Sequence, residues 1–311
     1  MNTDEIKKIY FDCTLCPRKC GVNRHETEGF CRAGVLPKIA RAALHIWEEP
    51  ILSASGGSGA VFFSNCTLRC VFCQNHDISA EGFGKEISVK ELSDVFLKLQ
   101  DEGAQNIDLI TASHYLPSVI EALDIVKHKL NIPVVYNCSG YENVDTVRML
   151  DGYVDIYLPD IKYYSDELAV RFSAAPHYFE TAVMAVKEMI AQTGAPILEK
   201  SSATNVQSMK SGVIIRHMVL PKHRADSIAM LNAIASIFDP DSLLISLMSQ
   251  YTPFYKVLSD SSYKDINRRI TSYEYDSVVN EALRLNLNGF MQEKSSAKEE
   301  YTPSFKLEGV P

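Results

Sequence analysis

The chain predicts an α/β fold, an open and partial (β/α)6 TIM-type barrel preceded by a small cysteine-rich module. Strand-like and helical segments alternate from residue 60 to residue 248. They make about six βα units, too few for the eight that close a full barrel. Four of the eight cysteines fall ahead of the first of these strands. The expected division is residues 1–50 for a four-cysteine module, 51–290 for the barrel and 291–311 for a C-terminal tail.

The first strand, residues 60–64, is a short apolar run that ends at a cysteine loop. Ser88-Val-Lys-Glu91 is a capping box, and Val89, Leu92, Val95, Phe96 and Leu99 then share one helical face until Gly103 stops the helix. A strand over 106–111, a helix over 117–130, a strand over 134–137, a helix over 143–150 and a strand over 154–158 follow. Pro176 opens a long helix over 177–193, ended by Gly194. Strands over 212–220 and 243–248 flank a helix over 226–238. Strand, helix, strand in succession implies a parallel sheet with right-handed crossovers.

Ligands of such sheets sit at the carboxyl ends of the strands. The polar clusters of this chain fall there: Thr111-Ala-Ser113-His114-Tyr115-Leu-Pro117, Asn137-Cys138-Ser139-Gly140, Pro159-Asp160-Ile-Lys162, Arg216-His217 and Ser249-Gln250-Tyr251.

Composition excludes several function classes. The 311 residues, 46% hydrophobic, can bury a large core. A formal net charge of −8 argues against a nucleic-acid partner, which needs a dense basic face. No apolar run approaches the roughly 18 residues of a membrane helix, and the first nine residues lack the apolar core of a signal peptide. A cytoplasmic protein is expected. In that reducing compartment eight cysteines are better explained as metal ligands than as disulfides.

The most informative segment is Cys66-Thr-Leu-Arg-Cys70-Val-Phe-Cys73, spaced Cys-x3-Cys-x2-Cys. Three thiolates in one loop can hold three irons of a 4Fe-4S cluster and leave the fourth open to a small molecule. Zinc sites usually complete four ligands, so an isolated triplet fits them poorly. These residues resemble the radical S-adenosylmethionine (SAM) enzymes. The resemblance implies that the open iron is chelated by the amino and carboxylate groups of SAM, and that one electron cleaves the bond from sulfur to C5′ to release a 5′-deoxyadenosyl radical. It also places the backbone of Phe72 near the adenine.

Further motifs narrow the resemblance. Cys16-Pro-Arg-Lys-Cys20, Gly56-Gly-Ser-Gly59, Leu158-Pro-Asp-Ile-Lys-Tyr163, Ile215-Arg-His-Met-Val-Leu-Pro221 and Ser246-Leu-Met-Ser-Gln-Tyr251 together look like the pyruvate formate-lyase activating enzyme-like branch. By that resemblance Asp160 and Lys162 match an Asp-x-Lys element beside SAM, where the carboxylate helps form a cation site. Asn137 to Gly140, including Ser139, matches a polar turn of the same site, with Asn137-Cys138 standing where activating enzymes usually place Asp-Thr. Ser113 and His114 stand where many members contact the SAM amino group. Arg216 and His217 match a segment near the nucleoside and methionine parts. Each residue also has a plainer reading: Asp160 and Lys162 pair with each other, His114 is a satisfied polar residue, Arg216 anchors any carboxylate, Cys138 is a small buried residue, and Tyr153, Tyr157, Tyr163 and Tyr164 serve packing.

The second cysteine group is Cys13, Cys16, Cys20 and Cys31, with Pro17 and Gly21 turning the chain between them. Four thiolates can close around one zinc ion or a second iron-sulfur cluster, and spacing alone leaves both open. The resemblance implies a flavodoxin or ferredoxin as reductant and a glycine of a glycyl radical enzyme as target. Another peptide or a small metabolite is the alternative substrate. A non-catalytic iron-sulfur electron carrier is the alternative class, disfavoured because a carrier needs no elaborate pocket.

Overall fold

The computed structural model describes residues 3–54, 56–200, 206–292, 303 and 305–311. Its strands are β1 (Lys38–His45), β2 (Ser58–Phe63), β3 (Lys85–Glu86), β4 (Ile107–Ile110), β5 (Val134–Cys138), β6 (Ile156–Pro159), β7 (Ile197–Lys200), β8 (Gln207–Met218), β9 (Leu244–Met248) and β10 (Gly289–Met291). They form one sheet in the order β10-β9-β8-β6-β5-β4-β2-β1-β3, with β7 paired to β8 outside this path. The ends of the path do not meet, so the barrel is open, as expected.

From β2 to β10 every neighbouring pair along this path is parallel. The six expected strands are all present within a few residues of their predicted bounds. A seventh parallel strand, β10, is three residues long, too short to carry a period. β1 precedes the first predicted strand and pairs antiparallel with β2, so it extends the sheet beyond the βα pattern.

The central strands β2, β4, β5 and β6 are buried on both faces, as parallel strands between a helical layer and a barrel interior must be. All six residues of β2 are buried. Val61, Phe63, Ile107 and Leu109 pack outward in one core with Leu92, Val95, Phe96 and Leu99 of the helix Val89–Asp101. Each such side chain contributes roughly 1.5–3 kcal/mol by leaving water. That helix starts where the sequence places it, because Ser88 and Glu91 each bond the other's backbone N–H, at 3.2 and 2.7 Å. Tyr157, Tyr163 and Cys138 are core residues.

Below the interior, the short helix Pro50–Ser53 plugs the barrel. Its Ile51 and Leu52 pack with Val135, Ile156, Leu158, Met209 and Ile214. Among the described residues no helix is long and apolar enough to cross a membrane. Residues 293–302 and 304 of the tail lie outside the described residues. The last seven residues return to the sheet: the Glu308 carbonyl accepts the Ala42 N–H at 2.9 Å, Arg41 pairs with the Glu308 carboxylate, and Phe305 stands edge-on to Phe62 at 5.4 Å.

Candidate functional site

The cysteine loop leaves β2 at its carboxyl end and is held from two sides. Arg69 and Val71 donate their N–H groups to the carbonyls of Ser173 and Phe172, at the end of the helix Asp166–Ser173. On the other side the Asn65 amide donates to the Arg32 carbonyl at 3.0 Å. Cys70 Sγ lies 3.0 Å from Ser173 Oγ, Cys73 Sγ lies 3.2 Å from Ser79 Oγ, and Cys66 Sγ accepts the Leu68 N–H at 3.4 Å.

Burial pushes the Cys66 thiol up to about 12 and the Cys73 thiol up to about 11, and it raises Cys70. Iron must displace those protons on binding. Among the described residues, the one group of three or more His, Cys, Asp or Glu side chains whose ligand atoms all lie within 4.8 Å of one another is His76, Asp77 and Glu81. The triad is therefore set too wide for one zinc ion, whose thiolates about 2.3 Å from the metal stand under about 4 Å apart. A cube of iron and sulfide spans more, and three cysteine thiols in one loop are the donor set that such a cluster takes.

Beside the loop opens a cavity of about 1010 Å³, lined at its top by Cys70, Phe72, Cys73 and Lys162. Its wall is a chain of polar contacts across the strand ends. Lys162 Nζ donates to Asp160 Oδ2 at 2.5 Å, Arg216 Nε donates to Asp160 Oδ1 at 3.0 Å, and a second Arg216 nitrogen donates to Asn137 Oδ1 at 2.5 Å. Asn137 Nδ2 in turn donates to Asp108 Oδ2 at 3.2 Å. Burial raises Asp160, but the Lys162 and Arg216 cations outweigh it and hold the carboxyl below its usual value. Burial likewise opposes the charge on Lys162, and the attraction of Asp160 prevails.

Gly140 makes this arrangement possible. Its φ is +75°, and a Cβ there would fall 2.0 Å from the Asp160 carbonyl oxygen. The Tyr178 hydroxyl, 2.6 Å from the Ser139 carbonyl and 2.9 Å from that of Asp160, fixes the same turn.

The floor was not read from the sequence. Glu48 and Glu49 precede the plugging helix and line the cavity, with Glu48 Oε2 3.5 Å from Arg216. Burial raises Glu49 to about 7 and raises Asp108 well above its usual value. One oxygen of each, Glu49 Oε2 and Asp108 Oδ1, is buried with no partner among the described residues. The available signal was Asp108 itself, the single charged residue inside the strand Ile-Asp-Leu-Ile.

Three residues expected at SAM, Ser113, His114 and His217, do not line the cavity. Ser113 and His114 are buried away from the cavity. Ser113 donates to Glu142 at 2.7 Å, and His114 Nε2 lies 2.7 Å from the Ser64 carbonyl, with its imidazole held neutral by burial, at about 3. The turn at Thr111, φ +62°, and the 3-10 turn Ser113–Tyr115 carry them beneath the strand end. His217 faces the helical layer, because it alternates with the inward Arg216. Its nitrogens lie 2.6 Å from the Ile161 carbonyl and 2.8 Å from Ser227 Oγ. Of the remaining expectations, Phe72, Asn137, Asp160, Lys162 and Arg216 line the cavity, while Ser139 Oγ is buried with no partner among the described residues.

Cys13, Cys16 and Cys31 are buried and Cys20 is exposed. Turns with positive φ at Lys19 and Gly21 fold the segment back, and Gly21 N–H donates to the Cys13 carbonyl at 3.1 Å.

A model described as Radical SAM superfamily matches residues 60–194. An uncharacterized protein of Methanocaldococcus jannaschii is 31% identical over 302 residues, covering 93% of this chain and 79% of that protein. Among solved structures, Streptococcus suis SuiB bound to S-adenosylmethionine shares the fold at 12% identity and a TM-score of 0.50, over 78% of this chain. A radical SAM methyltransferase from Sphaerobacter thermophilus aligns at 11% identity and a TM-score of 0.49, over 74% of this chain and 66% of its own. The chain spans 52% of the length of SuiB. The Cys-x3-Cys-x2-Cys loop at the mouth of the open parallel barrel thus lies within a Radical SAM superfamily domain that this chain carries over residues 60–194.

Proposed function

We propose that this protein is an enzyme that reductively cleaves SAM and abstracts a hydrogen atom from a ligand held in the cavity below. The observation that carries it is the convergence of the Cys66, Cys70 and Cys73 loop with the Lys162–Asp160–Arg216 chain on one cavity of about 1010 Å³. That volume suits SAM and a small substrate or a peptide loop. A 4Fe-4S cluster on the three cysteines would supply the electron and the open iron for cleavage of SAM, yielding the 5′-deoxyadenosyl radical.

The protein's own residues orient and exclude. Phe72 lines the cavity top, with its ring packed edge-on against Tyr251 at 5.8 Å. Lys162 and Arg216 offer cations to a carboxylate, and Asp160 restrains both. The plug of Ile51 and Leu52 closes the lower end against water.

The activating enzyme-like motifs favour a glycine of a glycyl radical enzyme as target, with flavodoxin or ferredoxin as reductant. The floor favours a second reading. Glu48 and Glu49, the latter with one carboxylate oxygen that has no partner among the described residues, suit a small metabolite or peptide that brings hydrogen-bond donors or positive charge. The test is anaerobic reconstitution with iron and sulfide, addition of dithionite and SAM, and chromatography for 5′-deoxyadenosine. Product that disappears in Cys70→Ala supports the reading. A fully loaded cluster that yields none overturns it.

A further inference from the structure

The four N-terminal cysteines form a second site that lies against the first. Cys13, Cys16 and Cys31 are buried while the neighbouring backbone turns around them. Cys20 is exposed, yet its sulfur is directed inward: a Cβ on Gly29 would stand 2.6 Å from Cys20 Sγ, so Gly29 leaves the room that this sulfur uses. The loop that carries Cys31 thus closes over the loop that carries Cys20.

The sulfurs are not gathered as the ligands of one zinc ion would be. No three of these thiols have their sulfurs within 4.8 Å of one another, since the one group that meets that limit among the described residues is His76, Asp77 and Glu81. A zinc ion with thiolates at about 2.3 Å would draw them under about 4 Å apart. The Cys66, Cys70 and Cys73 loop, whose family implies a 4Fe-4S cluster, shows the same wide setting and serves as an internal standard.

The two loops are joined directly. Arg18, between Cys16 and Cys20, donates to the Thr67 carbonyl at 3.2 Å. Arg69, between Cys66 and Cys70, donates to the Phe30 carbonyl, and both guanidinium groups lie over the Phe30 ring, at 3.9 and 4.5 Å. Asn65, next to Cys66, donates to the carbonyl of Arg32, next to Cys31.

We infer that Cys13, Cys16, Cys20 and Cys31 hold a second iron-sulfur cluster that passes electrons to the cluster on Cys66, Cys70 and Cys73. With four protein thiolates it has no open iron, which suits transfer and not bond-making. Each cycle moves one electron: a flavodoxin or ferredoxin is oxidised, the N-terminal cluster is reduced and then reoxidised, and the triad cluster receives the electron that SAM cleavage consumes. The relay rests on the proposed SAM cleavage, whereas the identity of the metal does not.

The test uses the full chain carrying Cys66→Ala, Cys70→Ala and Cys73→Ala, purified and reconstituted anaerobically. Iron, sulfide and zinc are counted, and the paramagnetic resonance spectrum is recorded after dithionite. About four irons and four sulfides should remain, with a reduced-cluster signal. One zinc per chain, or no retained metal in a folded variant, overturns the cluster. These readings need no turnover, so they stand even where SAM cleavage fails. The relay is tested with Cys20→Ser, the most exposed ligand. 5′-Deoxyadenosine formation driven by flavodoxin should fall several-fold further than formation driven by dithionite. An equal fall with both reductants, or no fall with either, overturns the relay.

Discussion

Arg216 Nε lies 3.0 Å from Asp160 Oδ1, and the backbones of the same two residues form an isolated parallel bridge between Asp160, just past the end of β6, and Arg216 within β8. One contact therefore joins two strand ends and sets the polar wall of the cavity. Arg216 also serves Asn137 and Glu48, so three acceptors from three parts of the chain depend on one guanidinium.

Removing that guanidinium leaves buried carboxylates uncompensated. Arg216→Ala should destabilise the fold by about 3–5 kcal/mol in urea unfolding. Arg216→Lys should recover only part of this, because an ammonium cannot span Asp160, Asn137 and Glu48 together. An Arg216→Ala protein of wild-type stability would show that the wall is not held in this way.

Glu142 makes a pH prediction. Burial raises its carboxyl from an ordinary 4.5 to about 7, against hydrogen bonds from Ser113 and Tyr136 that favour the charged form. The fold thus binds this proton more tightly than the unfolded chain. The stability it contributes is complete below about 4.5 and is lost as pH rises through about 7. Glu142→Gln, which stays neutral, should be less sensitive to pH than the wild type across that window in thermal melts. Parallel pH profiles for the two proteins would refute the assignment.

Much of this was legible in the sequence. Ser88 and Glu91, Gly103, Pro176 and Gly194 mark helix ends by local chemistry, and the strand runs carry both faces in apolar residues. The cysteine loop and the Asp160–Lys162 pair are short-range patterns and could be read as such. Glu48, Glu49 and Asp108 could not be placed, because only the plug beneath the barrel brings the first two to the third. Ser113, His114 and His217 lie off the cavity for a related reason. A motif fixes position along the chain, while a turn or one step of strand alternation decides which way the side chain faces.

Ser173 tests the environment of the cluster. Its Oγ lies 3.0 Å from Cys70 Sγ and 2.7 Å from the Tyr163 hydroxyl. A hydrogen bond to a ligating sulfur stabilises the reduced, more negative cluster. Ser173→Ala should therefore lower the reduction potential of the triad cluster, read by potentiometric titration of the resonance signal. An unchanged or higher potential would mean that the hydroxyl does not donate to the sulfur.

The central claim is that the Cys66, Cys70 and Cys73 loop leaves one iron open to SAM at the top of this cavity. The direct measurement is electron-nuclear resonance of the reduced protein with SAM labelled isotopically at its amino nitrogen. The account predicts a coupling between the cluster and the label that vanishes in Cys70→Ala. A fully reduced triad cluster with saturating SAM and no such coupling would contradict it.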